Sequence, residues 1–245
     1  MREYLADLHI HSLLSPCAEI EMTPKNIILN AKKLGVDIIA ITDHNACDNV
    51  PAAIEAVTLN NLNVLVLPGM EVESKEEAHF VVLFEKMKQL NEFEKFVKEN
   101  MSNLKNKPDM FGAQFIVDSD DNFVAEKEEL LISSLNVELV KIVEKVNSIG
   151  GIIFASHVDK PTYSIISQLG FIPPDLDLTA IELSPNIKDI EKAKQLFPSI
   201  SKFPILTNSD AHTMYDFING PKTKFYLKEP TFNEIKKYLK SMYNQ

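Results

Sequence analysis

Arginine and cysteine are scarce in this chain, and it has no long apolar run. The 245 residues include a single arginine, Arg2, which argues against a clamp of arginine forks around a phosphate. The two cysteines, Cys17 and Cys47, provide no disulfide framework and are typical of free thiols in a reducing compartment. No apolar run reaches the roughly 18 residues of a membrane span, and the first motif follows Met1 too closely for a signal peptide. We therefore expect a soluble, cytoplasmic protein with no membrane partner.

The net charge limits the class of partner. The chain has a formal charge of −10 at pH 7, and nucleic acids and membrane surfaces are themselves anionic. Bound divalent ions would cancel part of this charge inside a cleft, so an anionic substrate remains compatible with it. A long nucleic acid usually needs a broad basic stripe. We therefore expect a small phosphorylated substrate and consider a long nucleic acid an unlikely partner. The sequence leaves the oligomeric state open.

All six histidines stand beside acids in short motifs, most of which close a predicted strand. A lone H-x-H pair would be typical of a surface strand, but four further motifs of the same type favour a shared site. Imidazoles and carboxylates without dedicated thiolates suit Zn, Mn or Fe(II). The motifs are His9 and His11 in DLHIHS, His44 in TDHN, His79 after GMEVE, His157 in ASHVD and His212 in NSDAH.

Short apolar runs such as DIIAIT and NVLVLP alternate with helical stretches. Runs of this kind are typical of parallel strands that are covered on both faces. Polar groups close so many of the predicted strands that the strand ends must form a ring, which a barrel provides and an open sheet does not. The sequence predicts an α/β fold with about seven barrel strands. A division into two domains near residue 100 would separate the motifs, so we expect one domain spanning residues 1–245.

One polar segment interrupts the alternation, from about residue 103 to residue 136. Within it, Phe115–Val117 and Phe123–Ala125 flank SDDN, a plausible hairpin turn. Long loops inside a compact domain are usually functional or disordered. We expect an insertion on the barrel that acts as a lid or an interaction surface.

The ordered set DLHIHS, TDHN, GMEVE with a following histidine, ASHVD and NSDAH resembles the PHP (polymerase and histidinol phosphatase) family. The resemblance runs from His9 to His212, most of the chain. It implies a distorted seven-stranded, TIM-like β/α barrel that binds two or three divalent ions and hydrolyses phosphoesters. It also implies a set of metal ligands, namely His9, His11, His44, Glu71, His79, His157, Asp210 and His212.

The resemblance implies one more ligand, in the loop SLLSPCAEIEMTP. Alignment on Thr23-Pro24 favours Glu19, with Cys17 and Glu21 as competitors. Asp7 and Asp43 are interpreted as acids that orient ligating histidines through the second ring nitrogen.

The leading hypothesis for function is a metal-dependent phosphoesterase. It would hydrolyse a small phosphomonoester, such as a nucleotide or a histidinol-phosphate-like compound, through a metal-bridged hydroxide. Lys160 in HVDKP is the candidate contact to phosphate, although a loop lysine is more often solvated surface. The alternatives are a nuclease, an amidohydrolase-like metal hydrolase, and a non-catalytic metal-binding regulator.

Overall fold

The computed structural model describes residues 1–243, which form an α/β barrel. Ten strands occur in the described chain: β1 Arg2–Ile10, β2 Ile38–Ile41, β3 Leu65–Glu73, β4 His79–Leu83, β5 Phe115–Val117, β6 Phe123–Glu126, β7 Ile152–Ala155, β8 Ala180–Leu183, β9 Ile205–Thr207 and β10 Thr223–Leu227. Nine α-helices accompany them: α1 Pro24–Leu34, α2 Val50–Leu59, α3 Met87–Asn100, α4 Pro108–Phe111, α5 Leu139–Ile149, α6 Ile165–Leu169, α7 Ile190–Leu196, α8 Met214–Asn219 and α9 Phe232–Met242.

Eight of these strands form one sheet in the order β10-β1-β2-β3-β4-β7-β8-β9. The strands β1, β2 and β3 run parallel, as do β7, β8 and β9, whereas β4 is antiparallel to both of its neighbours. After β9, the chain returns to the first strand through a bridge between Ile10 and Ala211. The sheet is therefore nearly closed, and the predicted barrel class is confirmed.

The predicted number of about seven barrel strands is one too low. The eighth strand, β10, pairs antiparallel with the start of β1. Its side chains alternate between buried and exposed, with Lys224 and Tyr226 facing out. A search for unbroken apolar runs misses such a half-exposed edge strand, because the alternating pattern belongs to antiparallel sheets.

Local sequence signals set the boundaries of α1 as predicted. The Thr23 hydroxyl accepts from the backbone N–H of Asn26, Pro24 occupies the first turn, and Gly35 ends the helix with a φ of 70°. This left-handed conformation favours glycine. The helix is therefore fixed against the barrel at both ends.

Gly69 lets two strands approach the middle of β3 closely. A Cβ atom at this position would lie 2.9 Å from side-chain carbons of Leu83 and Thr42. Any larger residue would push the neighbouring strands apart and shift Glu71, two positions along β3.

Apolar residues pack on both faces of the sheet. One core cluster lies between the strands and helices α1, α2, α3 and α5. A second contains Leu8, Leu67, Phe154 and Leu206 together with Phe232 and other buried residues of α9. Helix α9 thus packs against the apolar interior of the barrel, and the polar motifs lie outside this apolar cluster. None of the helices in the described residues has the length and apolarity needed to cross a membrane.

The segment 103–136 folds against the loop that follows β2. The predicted hairpin is confirmed, because β5 and β6 pair antiparallel. The Asn49 side chain bonds to the backbone of Phe115 and Val117, and the Asn45 amide donates to the carbonyls of Leu131 and Ser133. The insertion therefore lies beside the His44 motif. The assignment of residues 1–245 to one domain stays a prediction.

Candidate metal centre

Eight of the side chains singled out in the sequence come together at one end of the barrel. Most follow parallel strands, whose carboxyl ends meet there. His79 joins them because it opens β4, which runs antiparallel to its neighbours. The set is His9, His11, His44, Glu71, His79, His157, Asp210 and His212.

The carboxylate of Glu71 lies at the centre of the cluster and is 1% exposed. Five histidine nitrogens lie close to its two oxygens, at distances that range from 3.2 to 3.7 Å. They belong to His9 at 3.2 Å, His44 and His79 at 3.3 Å, His11 at 3.4 Å and His157 at 3.7 Å. A buried carboxylate surrounded in this way has the geometry of a ligand shared between ions.

A second carboxylate, Asp210, faces the same histidines from the loop after β9. Its Oδ1 lies 3.4 Å from His9 Nε2 and 3.6 Å from His11 Nε2. Its Oδ2 accepts a 2.5 Å hydrogen bond from the Lys160 ammonium. The ring of His212 stacks on that of His11 with centroids 4.1 Å apart. The cluster thus has a carboxylate on either side of its first two histidines.

Within residues 1–243, three groups of donor atoms are each compact enough to hold a metal ion. They are His11 with His44 and His212, His9 with His11 and Glu71, and His44 with Glu71 and His79. Because the groups share members, ions bound to them would lie side by side. Histidine and carboxylate donors of this kind suit Zn, Mn and Fe.

Several buried polar atoms in the cluster have no hydrogen-bond partner among the described residues. Glu71 Oε1, His79 Nδ1 and His157 Nδ1 are all in this state. Glu71 Oε1 and His79 Nδ1 are 3.3 Å apart, close in distance but outside hydrogen-bonding geometry. An unsatisfied buried polar group is costly, of order 1–3 kcal/mol. A cation between Glu71 Oε1 and His79 Nδ1 would satisfy both atoms, so these residues fit a divalent-ion site.

The cluster separates its histidines into two electrostatic classes. Burial lowers the pKa of His157 to about 3 and that of His212 to about 4. Burial also opposes the charged form of His79, but the Glu71 and Glu73 carboxylates outweigh it and raise the pKa to about 9. The Glu71 carboxyl itself is desolvated, yet the surrounding histidines hold its pKa well below the usual value.

Glu182 orients His9. The sequence interpretation gave the role of orienting ligating histidines to Asp7 and Asp43. The Glu182 carboxylate lies 3.0 Å from His9 Nδ1, accepts from the backbone N–H of His157, and is held by the Asn208 amide. The available signal was a glutamate inside the apolar strand AIEL, since a buried charge needs a partner.

The predicted contact between Asp7 and a histidine is not present. Asp7 instead accepts from the backbone N–H of Ser209 and pairs with Lys222 at 3.0 Å. The pairing of β1 with β2 shifts register between Asp7 and Ile10. Asp7 and His9 are two positions apart, a spacing that regular alternation would put on one face of the strand, and this irregularity breaks the alternation.

Asp43 reaches a histidine only through a serine. Its carboxylate accepts from the hydroxyls of Ser12 and Ser15 and from the Ser12 backbone. The Ser15 hydroxyl lies 3.0 Å from His11 Nδ1. Asp43 therefore fixes the loop after β1, and the direct orientation expected from the sequence is replaced by a relay through Ser15.

The insertion touches the cluster through Glu73. The Glu73 carboxylate lies 3.5 Å from His79 Nε2 and accepts a 2.7 Å hydrogen bond from Ser134. His79 is thus held between two carboxylates, Glu71 on one ring nitrogen and Glu73 on the other. Sequence reasoning missed Glu73, although its position two residues after Glu71 on one strand places both on the same face.

Glu19 lies outside the cluster. Its side chain is exposed, and its backbone N–H donates to the carbonyl of His212. Of the three candidates for the ninth ligand, Cys17 is the one that lines the cavity over the cluster. The role of Glu19 as a ligand stays a prediction, and Glu21 is likewise exposed.

An open cavity of about 310 Å³ lies over the cluster. Lys160 reaches into it from the loop after β7, and Tyr163 stands at its rim with its ring stacked on His79, centroids 5.2 Å apart. Tyr163 has a φ of 55°. A left-handed bulky residue is strained, and such strain gathers at functional sites.

Comparisons with known proteins confirm the resemblance to the PHP family. A sequence model of the PHP domain matches residues 7–163, well over half of the chain. The 5'-3' exoribonuclease Rnm of Salmonella typhimurium (strain LT2) is 33% identical over 73 residues, which are 30% of this chain and 24% of that protein. The matched segment thus spans about a quarter of the exoribonuclease.

Solved structures share the fold. A lesion-specific endonuclease Q from Pyrococcus furiosus has a TM-score of 0.68 and 22% identity, over 98% of this chain and 56% of that one. A putative metal-dependent phosphoesterase from Bifidobacterium adolescentis has a TM-score of 0.59 and 15% identity, over 96% and 95% of the two chains. An amidohydrolase from Chromobacterium violaceum has a TM-score of 0.59 and 17% identity, over 97% and 96%.

The expectation of a small substrate, with a long nucleic acid as an unlikely partner, is wrong. Endonuclease Q has been crystallised with a 27-mer duplex substrate that carries an abasic lesion at the active site, and Rnm is an exoribonuclease. The error lay in using net charge. A total of −10 averages over the whole surface, whereas the phosphates of a substrate meet only the local charge of the site.

Proposed function

We propose that this chain is a nuclease. It belongs to the PHP domain family and is, like other members of that family, a metal-dependent hydrolase of the phosphoesterase class. Its substrate would be a nucleic-acid strand, whose phosphodiester bonds it hydrolyses. The observation that carries the proposal is the cavity of about 310 Å³ with the histidine cluster as its floor and a half-exposed tyrosine at its rim. That volume is the size of a small-ligand pocket, so one nucleotide of a single strand enters it.

Tyr163 gives the cavity a surface for a base. One face of its ring stacks on His79, and the side chain is 49% exposed. Stacking on an aromatic ring is how single strands are held without regard to sequence, because every base has a π-face. A base on Tyr163 would bring its phosphate over Glu71 and the surrounding histidines.

The eight clustered side chains are proposed to hold two or three ions, of Zn, Mn or Fe. Such ions supply positive charge opposite the phosphate and lower the pKa of water toward neutrality. Glu182, Ser15 and Glu73 keep the rings of His9, His11 and His79 in place, so the donors are set before the substrate arrives. Preorganisation of this kind reduces the reorganisation needed during reaction.

Lys160 is proposed as the phosphate contact within the chain. Its side chain is 33% exposed, its ammonium bonds to Asp210, and it lines the cavity. From this position the lysine ammonium could donate to a phosphate oxygen of a substrate in the cavity, and Asp210 would hold it there. With only Arg2 available as an arginine, a lysine has to supply this charge.

Two of the relatives act on nucleic acid, which supports the choice of a nucleic-acid substrate in this proposal. The exoribonuclease Rnm shares 33% identity with a segment of this chain, and endonuclease Q shares its fold. Cleavage from an end suits an open cavity of single-nucleotide size better than cleavage inside a duplex.

The test is hydrolysis of defined oligonucleotides. Purified protein is loaded with Mn²⁺ or Zn²⁺ and given a 5'-phosphorylated RNA octamer, the matching DNA octamer and p-nitrophenyl phosphate. We expect mononucleotide release from an octamer, its loss on chelation, and its loss in His157→Ala. Intact octamers with Mn, Zn, Fe and Co, while elemental analysis shows bound metal, would refute the proposal. Hydrolysis of cyclic amides instead would assign the chain to amidohydrolase chemistry.

A further inference from the structure

A second groove adjoins the metal cavity and shares two of its residues. It has a volume of about 430 Å³. Lys160 and Asp210 line both spaces. Because the shared residues stand between the two, a substrate bound over the cluster can continue into the groove without leaving the surface.

Tyr215 is the aromatic residue of this groove, and it is 74% exposed. It lies in the first turn of α8, which begins after Thr213, a cap whose hydroxyl accepts from the backbone of Asp216. The next turn is anchored by the fully buried ring of Phe217. The Lys222 ammonium donates to the carbonyls of Phe217 and Gly220. The helix is thus fixed on the barrel while the Tyr215 ring faces solvent.

The groove also contains a lysine, Lys188, that is not paired with an acid of the described chain. The ammonium of Lys188 donates to the carbonyl of Pro185 at 3.2 Å, and within residues 1–243 it forms no ion pair. The nearby acid Asp216 is engaged, since its carboxylate accepts from the Thr213 hydroxyl at 2.8 Å. In a chain of net charge −10, an ammonium that no described acid neutralises, in the same groove as an exposed ring, suits an anionic aromatic ligand.

We propose that this groove, the Tyr215 groove, binds the nucleotide next to the one held over the metal cluster. Its base stacks on Tyr215 and its phosphate meets Lys188, while Lys160 and Asp210 lie at the bond between the two nucleotides. The inference rests on the proposed nuclease function and deepens it, because it makes the site one for a polynucleotide strand. A mononucleotide would fill only the Tyr163 side.

The experiment measures binding and cleavage separately. Binding uses fluorescence anisotropy with a fluorescein-labelled octathymidylate whose phosphorothioate linkages resist hydrolysis. We expect Tyr215→Ala to weaken binding about fivefold or more, because stacking on an aromatic contributes at least that much per base. Tyr215→Phe keeps the ring and should bind as the wild type does. Lys188→Gln should weaken binding and reduce its salt dependence by about one phosphate contact.

Tyr226→Ala is the matched control. Tyr226 is another half-exposed tyrosine, but it lies on β10 beside the start of β1, at the opposite end of the barrel. Its removal should leave binding unchanged. Equal binding by wild type and Tyr215→Ala overturns the inference, and so does an absence of wild-type binding.

Cleavage of an ordinary octathymidylate and an RNA octamer is measured in parallel. Binding that depends on Tyr215 without any cleavage would sink the proposed nuclease function and leave the groove as a strand-binding site. If Tyr215→Ala changed neither cleavage nor binding, the Tyr215 groove would be refuted as a binding site and the proposed nuclease function would stand.

Discussion

The two ends of the barrel are built from opposite kinds of residue. At the site end, Glu71, His9 and His11 are buried polar groups packed against one another, and several of their neighbours lack hydrogen-bond partners. At the other end, β10 and α9 meet through the apolar side chains of Phe225 and Ile235. Solvent-exposed charges such as Lys224 lie outside this contact.

Backbone strain follows the same division. Within residues 1–243, seven non-glycine residues have a positive φ. Four of them, Asn45, His157, Tyr163 and Asp210, are at the site end, and two of these four belong to the proposed ligand set. Strained positions persist only where surrounding structure fixes them. The apolar end therefore supplies the stability that the polar, strained end lacks until cations bind.

The largest expected effect comes from Glu71→Gln. The substitution keeps the size of the side chain but removes the charge that five histidines surround. Loss of an outer partner of a metal ligand typically costs 10–100-fold, so loss of the shared carboxylate should reduce octamer hydrolysis by more than about 100-fold. Metal content by elemental analysis should fall in parallel.

The control for Glu71→Gln is Glu144→Gln, which removes a carboxylate from the exposed surface of α5. It should leave both rate and metal content unaltered. A Glu71→Gln protein that binds its full complement of ions and turns over normally would show that the centre of the cluster is not a metal site.

The next largest effect should appear at the opposite end, in Phe225→Ala. Phe225 is fully buried and its ring meets that of Tyr238 edge-on, with centroids 5.5 Å apart. Removing a buried phenyl ring costs about 3–5 kcal/mol of unfolding free energy, measured by urea denaturation. The rate per folded molecule should stay at the wild-type value, since no site residue is touched. A fall in the rate of hydrolysis with an unchanged free energy of unfolding would contradict the assignment of stability to one end and catalysis to the other.

The fold was predictable where one local signal sufficed. Strands such as β2 and β7 are unbroken apolar runs, and α1 has a capping threonine, a proline and a terminal glycine. The strand β10 was missed because its pattern alternates, and only pairing with β1 marks it as part of the sheet. Long-range pairing of this kind leaves no local trace in the sequence.

In the candidate site, too, some residues could be predicted from the sequence and others could not. The clustered histidines were predictable because motif type and strand ends coincide. Their supports were not, because the contact between Glu182 and His9 joins residues 173 positions apart. The position of Asp7 away from the histidines was not predictable either, because the register shift between Asp7 and Ile10 has no local signal in the sequence. The electrostatic class of each histidine depends on the neighbouring carboxylates, which only the folded structure brings together.

The smallest effect concerns protons at the site end. In the metal-free protein the carboxylates of Glu71 and Glu73 overcome burial and raise the pKa of His79 to about 9, so this ring is charged at pH 7.5. A metal ligand must be neutral. Ion binding at pH 7.5 should therefore release a proton from His79, and affinity should rise with pH toward 9. His157 and His212, with pKa values of about 3 and 4, should release none.

Calorimetry of Zn²⁺ binding in two buffers of different ionisation enthalpy counts the protons released. His79→Gln should lower that number by about one, whereas His212→Gln should leave it unaltered even though it removes a donor from the same cluster. The same pKa values set the stability of the metal-free protein. His79 stabilises the fold below pH 6.5 and loses that contribution as the pH rises toward 9. His157 and His212, whose pKa values are lowered, stabilise it above pH 6.5 and lose their contribution as the pH falls toward 4. If His79→Gln left the number of released protons unchanged, the charged ring would be a different histidine. The pairing of His79 with Glu73 would then not determine its protonation.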